Sequence, residues 1–405
     1  MDSLVIVIFI VVYVGMILGK IPGLAIDRTG VALLGAIVML AFGRVATFDL
    51  LRAVDMPTIA LLFGLMVLSA QFRLAGAYSH AVRAIGRLNL SPVLLLAAIV
   101  GISGILSALL INDIVCLAMT PVVLELCLGR GLNPKPYLLA LACSSNIGSA
   151  ATLIGNPQNI LVGQTLSMSF SAYLLDSAVP VLIGLLLVVF ILGRQFRGRW
   201  IQPRNPISVA NIPYSRWQTT KGIIIGLFLM VIFLGGFWPR ELVALAAAGV
   251  LLCSRSMRSR EMLGFVDWQL LVLFISLFVV NFALRQSGSY QDWMGAIAAA
   301  GFDLHDPGWL FAASAVLSNI VSNVPAVMLL LPLADHSLAG PILALSSTLA
   351  GNLLIVGSIA NIIVVEQAGH HGVHISWREH ARSGVPVTVS TLAIAALWLW
   401  LRVVF

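Results

Sequence analysis

Twice in this chain an apolar stretch long enough to cross a bilayer is broken open near its middle. Residues 144–159 read SSNIGSAATLIGNPQN and residues 346–361 read SSTLAGNLLIVGSIAN, with Ser, Ser, Gly and Asn recurring at matched positions. Gly155, Pro157 and Gly357 interrupt the helix near mid-span, and each interruption frees amides and carbonyls that hydrocarbon cannot satisfy. Such backbone persists at membrane depth only where it lines a cavity or a site buried in protein. The two stretches therefore restrict the chain to folds in which interrupted helices meet around something polar.

The setting is membranous. Hydrophobic residues make up 60% of the chain and charged residues 10%, far outside the range of soluble domains, so an all-α polytopic membrane protein is expected. The net charge of +7 would suggest nucleic acid in a soluble protein. Here the basic residues fall in short loops between apolar runs, no basic face with interleaved aromatics is left over, and no nucleic-acid partner is expected. Cys116, Cys127, Cys143 and Cys253 form no CxxC pair, so neither a zinc site nor a disulfide framework is indicated. His370, His371, His374 and His380 have passable metal spacing, but without a Cys or acid cluster they read as a solvated cytoplasmic loop, and no metal site is expected. The first apolar run follows Asp2 rather than a basic segment and lacks a small-residue cleavage site, which predicts a retained helix.

Counting apolar runs of roughly 15 to 22 residues predicts spans at 4–19, 30–42 and 58–75, a short amphipathic piece at 78–88, and a run over 91–128 interrupted by Asn112 and Asp113. The last is too long for one crossing and fits a re-entrant hairpin. The first broken helix (136–167) and a crossing at 172–193 follow. The segment 194–220 carries Arg194, Arg197, Arg199, Arg204 and Arg216 with Pro203, Pro206 and Pro213 and no acid, and reads as a linker between two halves. The second half repeats the order at 222–236, 242–253, 268–284, a hairpin at 309–333, the second broken helix at 341–367 and a crossing at 385–401. Each half, 1–193 and 221–405, thus has five crossings and one hairpin.

An odd number of crossings inverts the second half relative to the first. With the linker cytoplasmic, 18 of the 23 Lys and Arg residues fall inside and five (Arg44, Arg52, Arg240, Arg285 and Arg402) outside, as the positive-inside rule requires. Both termini are then external. Asp176 and Glu366, near span ends, are expected at the interface.

The hairpins align as the broken helices do. LSALLINDIVCLAMTP (106–121) lies over LSNIVSNVPAVMLLLP (317–332) without a gap, matching Ser107 with Ser318, Asn112 with Asn323 and Pro121 with Pro332; Asp55 and Asp267 recur before the third crossing. Inverted repeats with discontinuous helices point to a secondary transporter whose site lies at mid-membrane where the repeats meet. Helices restarted after Asn112 and after the GNPQ turn present free amides to an anion, while the preceding carbonyls can coordinate a cation.

The Ser, Asn and Pro hairpin pattern, followed by GNPQN and its degenerate copy GSIAN, resembles the ion transporter superfamily of arsenite permeases, citrate-transporter-like permeases, sodium/proton antiporters and divalent-anion symporters. The resemblance covers nearly the whole chain. It implies an elevator mechanism in a homodimer, with a scaffold at about 1–90 and 221–308 and a transport domain at about 91–193 and 309–405. The dicarboxylate members carry Ser-Asn-Thr at both hairpin tips. Here the tips read Ile111, Asn112, Asp113 and Ser322, Asn323, Val324, and the charge of Asp113 would repel a dianion by about 4 kcal/mol at contact distance and an effective dielectric of about 20. The Asn-Asp pair is more similar to the arsenite permeases.

The site expected from these patterns comprises Ser107, Asn112, Asp113, Ser145, Asn146, Thr152, Gly155, Asn156 and Asn159 in the first half. In the second it comprises Ser318, Ser322, Asn323, Thr348, Gly357, Ser358 and Asn361. Asp113 is the candidate coupling residue, because an acid at membrane depth is costly and desolvation favours its protonated form; its bland reading is a helix-capping carboxylate. The asparagines read either as ligands through their amide oxygens or as clamps on broken backbone. Cys116 and Cys143 lie near the motifs and read as small core residues rather than metalloid ligands. These features predict an ion-coupled secondary transporter of a small anion or oxyanion-like solute in the inner membrane, with H+ or Na+ as coupling ion, no cofactor, and lipid and a small inorganic or organic solute as partners. Arsenite or antimonite efflux, sodium/proton antiport and an anion channel are the alternatives. Without HExxH, GxSxG or a Ser/His pair at membrane depth, no enzyme is expected.

Overall fold

Polar residues placed just ahead of apolar runs set where the helices begin. The computed structural model describes residues 3–19, 25–202 and 213–404, leaving Asp2, Lys20 and the linker's Pro203, Arg204 and Pro206 outside the described residues. In the first half α1 (Ser3–Leu18), α2 (Arg28–Ala41), α3 (Leu50–Ala53), α4 (Met56–Leu74) and α5 (Ala77–Gly86) are followed by α6 (Pro92–Leu109), α7 (Asn112–Gly129), α8 (Pro134–Ser149), α9 (Pro157–Thr165) and α10 (Phe170–Gln195). In the second half α11 (Arg216–Gly235), α12 (Arg240–Leu252), α13 (Ser259–Leu263), α14 (Trp268–Gln286) and α15 (Ser289–Ala299) are followed by α16 (Pro307–Val321), α17 (Asn323–Leu330), α18 (Ala339–Ala350), α19 (Ile359–His370) and α20 (Trp377–Val404). Ten helices answer ten in the same order.

The caps are matched as well. Asp55 accepts from the Thr58 amide at 3.1 Å and Asp267 from the Leu270 amide at 2.9 Å, starting α4 and α14. Such caps satisfy helix amides that have no intrahelical partner. Among the described residues, seven helices (α4, α6, α7, α10, α11, α14 and α20) are long and apolar enough to cross a bilayer, making this a helical multi-pass membrane protein. The expected crossings at α1, α2 and α12 are shorter, at 16, 14 and 13 residues.

Backbone and side-chain contacts orient the helices. The Asn133 amide donates to the Trp200 carbonyl at 2.8 Å, and Lys135 Nζ pairs with Glu379 Oε1 at 2.5 Å. The starts of α8 and α20 and the end of α10 therefore share one face, called here the linker face. At the opposite face Arg402 pairs with Asp176 at 2.8 Å, joining the end of α20 to the start of α10. The matched helices α10 and α20 run antiparallel, and α9 and α19 end at opposite faces. Asp176 is 7% exposed and is held as the partner of Arg402 near the start of α10.

Both interrupted stretches are interrupted here. The α8 helix stops after Ser149, residues 150–156 are non-helical, and α9 restarts at Pro157, which has no N–H to lose. The α18 helix stops after Ala350, and α19 restarts at Ile359 after a 3-10 turn over Ile355–Gly357. A Cβ on Gly155 would run into the backbone of Ser149 and Ser107, and one on Gly148 into the backbone of Gly104. Glycine at these places lets the hairpin α6–α7 press directly on the break.

Candidate functional site

The first hairpin tip is fastened to the first break by backbone and hydroxyls. The Asn112 amide donates to the Gly155 carbonyl at 3.0 Å. Ser145 Oγ donates to the Asn112 carbonyl at 3.2 Å and is bonded to Ser107 Oγ at 2.8 Å, while Thr152 Oγ1 donates to the Ala108 carbonyl at 2.6 Å. Ser107, Ser145 and Thr152 thus spend their hydroxyls inside the first half.

Asn159 and Asn361 clamp the unwound backbone in the same way. Asn159 Nδ2 donates to the carbonyls of Thr152 (3.0 Å) and Ser149 (3.4 Å), and Asn361 Nδ2 to those of Leu354 (3.0 Å) and Gly351 (2.8 Å). These are matched positions in the sequences of the two halves, and they give the amide nitrogens the backbone-satisfying role that membrane burial demands.

The side-chain oxygens carry the cross-connections. Asn146 Nδ2 donates to Asn352 Oδ1 at 2.9 Å and Asn361 Oδ1 at 3.1 Å, and Asn146 Oδ1 accepts from Asn112 Nδ2 at 3.2 Å and Ser358 Oγ at 2.9 Å. The position matched to Asn146 is Thr348, which does the reverse. Its hydroxyl donates to Asn159 Oδ1 at 3.2 Å and lies within bonding distance of Asn156 Nδ2 (3.2 Å) and Gln158 Nε2 (3.1 Å). Asn156 also caps α9 through the Asn159 amide at 2.8 Å. With its amide oriented to suit its partners, Asn323 donates to the Gly357 and Ser347 carbonyls and accepts from Gln158, each at 3.2 Å.

The structure therefore brings Asn112, Asn146, Asn156, Asn159, Asn323, Thr348, Ser358 and Asn361 into one buried node, with Gly155 and Gly357 supplying carbonyls. Among the described residues, no Lys or Arg is bonded within it. Asn112 Oδ1 and Asn352 Nδ2, an acceptor and a donor on residues bonded to Asn146, have no partner. Buried polar atoms left so are costly, and this pair offers an acceptor and a donor to a polar solute or a partly dehydrated ion.

Three expected residues stand at the margin. Asp113 is half-buried in the first turn of α7, where the helix dipole favours a negative charge, and its carboxylate makes no hydrogen bond among the described residues. Ser318 Oγ is buried without a partner. Ser322 sits at φ 78° and ψ 160°, a region that side chains avoid, and at the second tip it replaces the ordinary Ile111 backbone of the first.

Sequence reading missed Asn352 and Gln158. Asn352 aligns with Ala150, so a search for matched polar residues passes over it. His380 is 1% exposed within α20 and bonds through Nε2 to the Asn352 carbonyl at 3.1 Å, which separates it from the loop histidines with which its spacing grouped it.

Comparison with known proteins agrees with a membrane carrier. The citrate transporter family model matches residues 6–341. An uncharacterized transporter of Mycobacterium tuberculosis is 30% identical over 93% of this chain and 94% of that protein. A silicon efflux transporter of Oryza sativa subsp. japonica is 28% identical over 93% of each. Among solved structures, the YdaH transporter of Alcanivorax borkumensis has a TM-score of 0.58 at 14% identity, covering 98% of this chain and 97% of that one. MtrF of Neisseria gonorrhoeae has a TM-score of 0.56 at 13% identity, covering 98% and 94%. The last two likenesses are of fold.

Proposed function

Because the chain belongs to the citrate transporter family, a family of small-solute carriers rather than enzymes, we propose that it is a secondary active transporter, coupled to protons or sodium, of a small anion or oxyanion-like solute across the inner or plasma membrane. The observation that carries this reading is the node around Asn146, which joins a hairpin tip of one half to the break of the other at four side-chain contacts. The polar side chains gather at this node instead of lining a continuous path, which favours a carrier over a channel.

The antiparallel run of α10 and α20 and the ten-by-ten order of helices support an inverted repeat. The first tip meets the break at Gly155, while α9 continues for nine residues beyond it, roughly 13 Å of helix at 1.5 Å per residue; this supports a re-entrant hairpin. Packing of α6 on α8, α16 on α18 and α10 on α20 supports one moving body, 91–193 with 309–405, against a scaffold of 1–90 with 221–308, working as an elevator. External termini and a homodimer complete the reading.

A second reading, that the solute is an uncharged hydroxide such as arsenite and is exported, is favoured by the absence of Lys or Arg from the node and by Asp113 beside it. Hydroxyl and amide groups suit a neutral polyhydroxide without opposing charge. The rice relative named for silicon efflux fits this version. Proteoliposome flux of arsenite, citrate, succinate and phosphate under separate proton and sodium gradients tests both. Saturable flux of one of them that follows an ion gradient supports the proposal. Passive ohmic conductance supports a channel, and sodium/proton exchange without solute supports an antiporter.

A further inference from the structure

The moving body is fastened to the scaffold at the face opposite the linker by four hydrogen bonds around the end of α9. Arg240, the first residue of α12, donates through Nη2 to the carbonyls of Gly163 (2.9 Å) and Met168 (3.0 Å). Gln164 Nε2 donates to Glu241 Oε2 at 3.1 Å, and Thr165 Oγ1 to Asp55 Oδ2 at 3.1 Å. A guanidinium on the last carbonyls of a helix is both a hydrogen-bond cap and a favourable partner for the helix dipole.

Each of these groups has a counterpart in the other half. On the scaffold, a shift of 212 residues carries Arg240 to Arg28, Glu241 to Thr29 and Asp267 to Asp55. On the moving body, a shift of 202 carries Gly163, Gln164 and Thr165 to Val365, Glu366 and Gln367. The chemistry is kept at every contact. An arginine again faces helix-end carbonyls, a carboxylate faces an amide donor in Asp267 and Gln367, and the remaining pair exchanges its ends, with Thr29 as donor and Glu366 as acceptor.

In this structure the second set is not engaged. Arg28 lies beside Gly19, and its guanidinium makes no hydrogen bond or ion pair among the described residues. Asp267 is exposed and, among the described residues, bonds only the Leu270 amide, whereas Asp55 is half-buried. The α4 helix packs along α9, with no comparable packing of α14 along α19. The unengaged set lies at the linker face: α19 ends there, and Arg73 at the end of α4 stacks 4.4 Å over the Phe265 ring, placing Asp267 at the same face.

We propose that these are two alternating latches: Arg240, Glu241 and Asp55 hold the end of α9 in the conformation seen, and Arg28, Thr29 and Asp267 hold the end of α19 in the opposite one. The inference rests on the transporter reading for its purpose, but its contacts can be tested without any solute. A donor opposite an acceptor at each matched contact on both faces gives two docked states of comparable stability, as reversible movement between them requires.

The test uses the full chain in membranes, with the exposed Cys253 replaced by Ala and paired cysteines introduced at each latch. Asp55→Cys with Thr165→Cys reports the α9 latch, and Asp267→Cys with Gln367→Cys reports the α19 latch. Both pairs are expected to crosslink. Arg240→Gln should raise the ratio of α19-latch to α9-latch crosslinking about tenfold, and Arg28→Gln should lower it by a similar factor, as loss of charge-assisted hydrogen bonds implies. Crosslinking of the α9 pair in the same membranes reports that each variant is folded. Failure of the α19 pair to crosslink in any background, or a ratio that neither arginine variant moves, overturns the latches. Solute flux is measured in parallel: a ratio that shifts as expected in a protein that moves no solute upholds the latches and removes the transporter reading.

Discussion

The side-chain amide of Asn146 donates to the side-chain oxygen of Asn361 at 3.1 Å, across 215 residues of sequence. At the matched position Thr348 donates to Asn159 at 3.2 Å, so each half of the chain reads the break of the other. Asn146 also holds Asn112, Asn352 and Ser358. Asn146→Ala strips partners from these buried groups at a cost of about 2–4 kcal/mol. A clear fall in melting temperature in detergent and loss of solute flux are expected, while Thr348→Ser, which keeps the hydroxyl, leaves both near wild type.

Asp113 stands at the first tip without a hydrogen-bond partner among the described residues and aligns in sequence with Val324 of the second tip. Asp113→Asn keeps the shape and removes the charge. The protein should fold and exchange solute down its own gradient, but flux driven by an imposed pH difference should vanish. Unchanged pH-driven flux in proteoliposomes would take Asp113 out of the coupling step.

Ser322 holds a backbone conformation that only glycine adopts without strain, at φ 78° and ψ 160°, which costs about 1–3 kcal/mol. Ser322→Gly should therefore raise the melting temperature, by about 1 kcal/mol in stability, and Ser322→Val should lower it. A Gly variant less stable than wild type would show that the serine hydroxyl contributes more than its backbone costs.

Close backbone packing makes a sharper steric prediction. A methyl group on Gly148 meets the Gly104 backbone, whereas one on Gly101 meets nothing within 4 Å. Gly148→Ala should cost about 1–3 kcal/mol by overpacking, and Gly101→Ala, on the α6 helix that carries Gly104, should be neutral or stabilising because alanine is the better helix former. Thermal melts of the two variants in one detergent make the comparison.

Much of this site was legible in the sequence because polar residues are scarce in apolar spans, and their recurrence marks the same backbone problem solved twice. Asn159 and Asn361 were found that way. The partners that complete the node were harder to see. Asn352 has no polar counterpart, and Gln158 reaches Thr348 in the other half, a pairing that only the fold creates. The start of α20 at Trp377 lies ahead of the apolar run because Ser376 and Glu379 form a reciprocal cap, Oε2 accepting from the Ser376 amide at 2.9 Å and Ser376 Oγ from the Glu379 amide at 3.3 Å. Counting hydropathy hides such a start; the Ser-Trp-Arg-Glu spacing reveals it.

The central claim is that solute movement through this node is tied to an ion. The most direct measurement loads proteoliposomes with the transported solute, sets proton and sodium gradients to zero, and follows internal pH and sodium as solute leaves. Coupled transport predicts that the solute gradient alone drives a net movement of one of the two ions, and that Asp113→Asn abolishes it if that ion is the proton. Saturable solute efflux with no movement of either ion would contradict the account.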